Sequence, residues 1–301
     1  MVLFEAIIRW GLYLILLTPL LVSTWFTSPF LTPKALAFQI LVDIVIGAVA
    51  GLYLLLLRQD RQPAATRLLP GRSPLLIVLA TCLGYALVTA FFGVDLNRSL
   101  WGISDRGDGL IIQLHFLVWF VVLAWFYQNR GLAHILNQTF KPKKKTDRSP
   151  SPVAHDFHFY LRLSFWVSAA AAATVVYMWL ELHFRLLDIV PESVKRPFQG
   201  RVGGVFGNPT FAGPYFLFHF FYGLYLLSRF VRAKLDIPSS SDSRPRRQRN
   251  GTVQWTAHAT WIVIAQCMIL SALLLGQIRG VLLGLVAGLL VVAACIIFSR
   301  S

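Results

Sequence analysis

About eight times along this chain, some 20 residues pass with almost no charge, the length an α-helix needs to cross the hydrocarbon of a bilayer. The stretches fall at approximately 7–27, 36–57, 74–92, 110–127, 161–180, 209–228, 256–275 and 280–298. A helix satisfies every backbone polar group internally, which hydrocarbon demands. Overall, 56% of the residues are hydrophobic and 14% are charged, too few charges for a soluble domain of this length. The fold class expected is all-α: a polytopic transmembrane helix bundle forming a single membrane domain over residues 1–301.

The net charge of +15 could point to nucleic acid, but the placement of the basic residues argues for topology instead. Connections holding Arg58, Arg61, Arg67 and Arg72, then Arg130, Lys141, Lys143 to Lys145 and Arg148, then Arg229 to Arg249, alternate with poorer ones. With Arg9, Arg162 and Arg300 they carry 20 of the 28 Lys and Arg residues. The positive-inside rule therefore puts both termini in the cytoplasm, with cytoplasmic loops at about 128–160 and 229–255. The first stretch, lacking a small-residue cleavage site after it, reads as a retained span. Cys82, Cys267 and Cys295 lie in apolar runs without a CxxC pair and read as small buried hydrophobes, with no metal site.

With that topology every even-numbered span starts at the outer face, positive dipole end outward. Three of those starts carry an arginine among glycines: Arg106 in "RSLWGISDRGDGL", Arg201 in "RVGGVFGNPT" and Arg279 in "GQIRG". A cation there is unfavourable by roughly 0.3–1 kcal/mol. Three on one face call for a compensating anion: a phosphate-bearing ligand, lipid headgroups, or paired Asp and Glu. Glycines let backbone N–H groups approach such a ligand, and Arg binds phosphate through two N–H groups. Asn208 can cap the sixth span and Pro209 suits its first turn.

Asp43, inside the second span, reads as pairing with Lys34 or Gln39, with proton coupling as the alternative. His115, His219 and His258 lie within spans and read as polar packing residues, whereas His183, near Arg185, is a weak candidate base. Trp101, Trp119, Trp125, Trp179 and Trp255 fall near span ends, as interfacial anchors do.

Three segments resemble the O-antigen ligase and O-antigen polymerase superfamily of bacterial envelope glycosyltransferases. "LWGISDRGDGLIIQLHFLVWF" (100–120) is similar to its Trp-Gly…Arg…Gly-Leu segment, with Trp101 and Arg106 in place and Leu114-His115 in the helix that follows. "GGVFGNPTFAGPYF" (203–216) is similar to its Gly-x-Phe-Gly-Asn-Pro segment, through Gly204, Phe206, Gly207, Asn208, Pro209 and Tyr215. "LLLGQIRGVLLGLVAGLL" (273–290) resembles its Ser-Arg-Gly-x-x-x-Gly segment, with Arg279, Gly280 and Gly284 matching and Ile278 in place of Ser.

The resemblance implies transfer of a glycan from an undecaprenyl-pyrophosphate carrier to a glycan, lipid or protein acceptor at the outer face of the bacterial inner membrane. It implies no cofactor, no metal, no nucleotide sugar and no nucleic acid; membrane lipids are the other partners. Arg279, Arg201 and Arg106, in that order, would hold the pyrophosphate. Gly207, Asn208, Pro209, Gly280 and Trp101 would shape the helix starts. Family members continue into a large outer loop with a histidine tied to catalysis. This chain ends at Ser301, so the base is expected outside it, and the chain alone is expected to be inactive. A transporter or flippase of an anionic lipid-linked substrate, or an inactive membrane fragment, is the alternative.

Overall fold

The structure is a computed structural model that describes residues 2–58, 74–102, 109–128, 152–184, 202–235 and 245–298. Among the described residues all regular structure is helical. We number the helices α1 (Val2–Leu17), α2 (Thr32–Arg58), α3 (Pro74–Phe91), α4 (Leu96–Trp101), α5 (Leu110–Gln128), α6 (Pro152–Phe184), α7 (Pro209–Leu235), α8 (Pro245–Leu275) and α9 (Arg279–Phe298). Five stretches are long and apolar enough to cross a membrane: Leu3–Leu20, Thr32–Arg58, Leu110–Tyr127, Phe157–Phe184 and His258–Leu275. Shorter apolar stretches, Ile77–Phe91 and Arg279–Cys295, lie in α3 and α9. On the surface of α9, Leu283, Val286, Leu290, Val291 and Ile297 are all exposed, an apolar face that water would penalise and hydrocarbon would not. This is a multi-pass helical membrane protein.

Each of the eight apolar stretches contains a helix, but several boundaries differ from expectation. Expected to run to residue 27, α1 stops at Leu17 and tightens into a 3₁₀ turn, Thr18–Leu20. Pro19 has no N–H to donate and disfavours helix in the residue before it. Two expected loops are partly helical, because α6 starts at Pro152 and α8 at Pro245. Proline at the first helical position loses no hydrogen bond and is preset for the turn. At the other end α7 continues to Leu235, seven residues beyond its expected end at 228.

The chain divides into two compact units, Met1–Leu163 and Ser164–Ser301. In the first, α1 and α2 pack through buried positions at helical spacing: Ile8, Leu12 and Ile15 on one, Phe38, Val42, Val45, Leu52 and Leu56 on the other. The approach is closest where a side chain is missing. Gly11 faces Val45, and Gly51 faces the Phe4 ring. These two contacts run in opposite chain order, so the helices are antiparallel. Val122, Trp125 and Phe126 of α5 and Tyr160 of α6 complete this core. Trp125 is only 5% exposed, so it is a core residue and not the interfacial anchor expected.

In the second unit, Phe165 of α6, Phe216 of α7 and Ile269 of α8 are wholly buried. Gly223 of α7 lets Phe165 and the Gln266 amide close in, and Gln266 Nε2 donates to the Phe220 carbonyl at 2.8 Å. Three contacts join α7 to α9 in the same chain order. Gly213 faces Val281 and Ile278, Gly284 faces Leu217, and Gly288 faces the Phe221 ring. These helices therefore run parallel, joined by a small-residue seam of the kind that brings membrane helices together. Cys82, Cys267 and Cys295 are all exposed, contrary to the burial expected. On a helix facing hydrocarbon an apolar side chain gains nothing further by being buried in protein.

Candidate functional site

Because α7 and α9 are parallel and in contact, their N-termini lie at the same end of the second unit. Pro209, the first residue of α7, lies against Gly276 just before α9, and Gly213, one turn into α7, faces Ile278 and Val281. Two of the three glycine-rich segments thus meet in space.

The turn into α7 is built by packing. Gly204 has φ +56°, and a Cβ there would fall within 2.5 Å of Thr174 Oγ1 and 2.7 Å of Val175 on α6. The next amide, Val205 N, donates to Thr174 Oγ1 at 3.1 Å. Gly203 lies against the Asn208 backbone, where a Cβ would come within 2.8 Å. Gly207, with φ +68°, turns the chain into the helix. Val202 and Phe206 are buried beside them. The first two glycines therefore admit neighbouring protein atoms, where the sequence had led us to expect ligand approach. Asn208 caps α7 as expected: its Oδ1 accepts from Thr210 N at 2.9 Å and its carbonyl accepts from Phe211 N at 3.1 Å. Pro209 occupies the first helical position. Inside the helix, Pro214 has no N–H for the Thr210 carbonyl, so the first turns of α7 lack one backbone bond.

The start of α9 is different. Gln277 takes a left-handed conformation, φ +50°, and Ile278 stands at the capping position. Its carbonyl accepts from Val281 N and Leu282 N, both at 3.0 Å, but its side chain has no acceptor for the first-turn amides. Arg279 and Gly280 follow, both exposed, and a Cβ at Gly280 would meet nothing within 4 Å. Arg279 is thus a guanidinium on an open, uncapped helix start beside the capped start of α7. Arg201 and Arg106 lie outside the described residues. Trp101 is 64% exposed at the end of α4 in the first unit, a short helix that the sequence analysis did not foresee. Its local signal was present: Asp95 caps it by accepting from Arg98 N at 3.0 Å, and Gly102, φ +78°, ends it.

The histidines in the spans have polar partners. His219, 5% exposed, places Nδ1 2.8 Å from the Tyr215 carbonyl and Nε2 2.7 Å from Ser164 Oγ. The carbonyl can only accept, so Nδ1 carries the proton and the Ser164 hydroxyl donates to Nε2. Both nitrogens are used, which fits a packing role. His183 Nδ1 donates to the Trp179 carbonyl at 2.9 Å, and the two rings stack 4.4 Å apart. Asp43 does not follow the expected pairing; its Oδ1 lies 3.2 Å from Nε2 of His115. Glu181 of α6 is 1% exposed. Among the described residues no three His, Cys, Asp or Glu side chains gather where they could hold a metal ion. No protein-family model, no curated protein and no solved structure matches this chain.

Proposed function

We propose that this protein belongs to the machinery that transfers lipid-linked glycans, and that the paired starts of α7 and α9 bind the pyrophosphate of an undecaprenyl-pyrophosphate donor at the outer face of a bacterial inner membrane. The observation that carries this reading is the parallel contact of α7 and α9, which sets exposed Arg279 beside the Gly207-Asn208-Pro209 start of α7. In this reading the chain has eight spans with both termini in the cytoplasm, and α5, α7 and α9 begin on the outer side.

The chemistry follows from the charges. An acceptor hydroxyl attacks the anomeric carbon, the bond from that carbon to the pyrophosphate oxygen breaks, and the hydroxyl proton passes to a base. Negative charge grows on the leaving pyrophosphate. Arg279 stabilises it with two N–H donors, and the uncapped amides of α9 add the positive end of the helix dipole. Arg201 and Arg106 are assigned the same role from sequence.

The test is glycan transfer in membranes carrying the full-length protein. Replacing Arg279 with Ala abolishes transfer while insertion and abundance stay as in wild type. Unchanged transfer removes Arg279 from the site. Liposome-embedded protein that moves carrier lipid across the bilayer without ever transferring sugar would favour a flippase instead.

A further inference from the structure

We propose that Asp43 and His115 form a one-proton binding site between α2 and α5, within the apolar part of the first unit. This is independent of glycan transfer. It rests on the contacts of a single imidazole ring. His115 Nδ1 lies 2.7 Å from the carbonyl oxygen of Ile111, one turn earlier on α5. A carbonyl has no proton to give, so Nδ1–H must donate. In a neutral ring that leaves Nε2 as a bare acceptor, and 3.2 Å from it is Oδ1 of Asp43. Two lone pairs do not attract. The contact holds only with a proton between them, either as imidazolium and carboxylate or as neutral imidazole and carboxylic acid. Both forms carry one proton more than a neutral histidine beside an ionised aspartate.

The surroundings ask for the same proton. Asp43 lies in the middle of Thr32–Arg58, a stretch apolar enough to cross a membrane. Its side chain is 65% exposed on the protein surface there, and that of His115 is 18% exposed. Without the proton the pair carries one negative charge in hydrocarbon, which is costly; with it the net charge is zero. A nearby cation could replace the proton, but the described geometry offers none. The charged or titratable groups on the described elements packed against α2 and α5 are Glu5, Arg9, Lys34, Arg58, Asp95 and Arg98, together with the exposed His158 and Arg162 of α6, which meets α5 through the Tyr127, Phe157 and Tyr160 rings. Arg9 pairs with Glu5 at 2.6 Å, and Lys34 Nζ donates to the Leu21 and Phe30 carbonyls. Asp95 caps α4, and Arg58 ends α2, four turns beyond Asp43. None of them contacts Asp43 or His115. Neighbouring rings close the α2–α5 contact on one side, with Phe38 4.5 Å from Phe116 and 6.1 Å from Trp119.

The test is to count protons on the pair in the full-length chain in lipid nanodiscs at neutral pH. Nitrogen NMR of labelled histidine, with His115 assigned by its loss in His115→Gln, reads the protonation of each ring nitrogen. The infrared difference between wild type and Asp43→Asn reads the carboxyl group. We expect one extra proton: either both nitrogens of His115 are protonated, or a protonated carboxyl band is present in wild type and absent in Asp43→Asn. In Asp43→Asn, His115 becomes a neutral ring protonated at Nδ1, because the amide itself donates to Nε2. A wild-type His115 with one proton beside an ionised Asp43, on either nitrogen, overturns the proposal. So does an Asp43→Asn ring that stays doubly protonated.

Discussion

Asn208 and Ile278 hold equivalent positions, each just before the first residue of one of two parallel helices, yet only Asn208 has a side-chain oxygen to give. Asn208→Ala therefore removes the bond to Thr210 N and lowers stability by about 1 kcal/mol, with Asn208→Ser close to wild type, measured by thermal unfolding in detergent. Gln277 stores strain in the same turn. A side chain in the left-handed region costs about 1–2 kcal/mol, so Gln277→Gly raises the unfolding midpoint. The cap at Asn208 was legible in sequence, since Asn-Pro before an apolar run carries its own local chemistry. The partner of Asp43 was not. His115 is 72 residues away, and no spacing rule relates residues on helices that meet only after folding. The same holds for Ser164 and His219, 55 residues apart.

At the scale of helices, the glycines of α9 divide by what they touch, although their spacing of four makes them look alike in sequence. A Cβ at Gly288 would run into the Phe221 ring, whereas one at Gly280 would meet nothing within 4 Å. Gly288→Ala should cost about 1–3 kcal/mol through overpacking at the α7–α9 seam. Gly280→Ala should be neutral or stabilising by about 0.4–1 kcal/mol. Equal effects of the two, in parallel thermal melts, would mean that the helices do not meet along this seam. Helix existence was readable from apolar run length alone. Boundaries were read less well where a proline set them, at Pro19, Pro152 and Pro245, because an apolar run and a helix need not end at the same residue. Residues 96–101 were missed because a six-residue helix shows too little periodicity to detect, although Asp95 and Gly102 marked its ends.

For the whole molecule, the proposed topology assigns the polylysine segment and the α8–α9 turn to opposite sides of the membrane. The three native cysteines are exposed and must first be replaced. In that background, Lys143→Cys should react with an impermeant thiol reagent only from the cytoplasmic side, and Gln277→Cys only from the outer side. Labelling of both from one side contradicts the topology. The alternation of basic and poorly basic connections carried this expectation. What the sequence could not convey at this scale is how far each unit buries its polar residues, as Glu181 and His219 illustrate.

The central claim is that Arg279 holds a diphosphate. The most direct measurement is the affinity of the purified full-length protein in nanodiscs for undecaprenyl pyrophosphate, compared between wild type and Arg279→Ala. Hydrogen bonds to a charged group contribute about 1.5–3 kcal/mol, so the variant should bind roughly 10- to 100-fold more weakly. Arg279→Lys should fall between them, because lysine keeps the charge without the two-pronged contact. Equal affinity of wild type and Arg279→Ala would contradict the account.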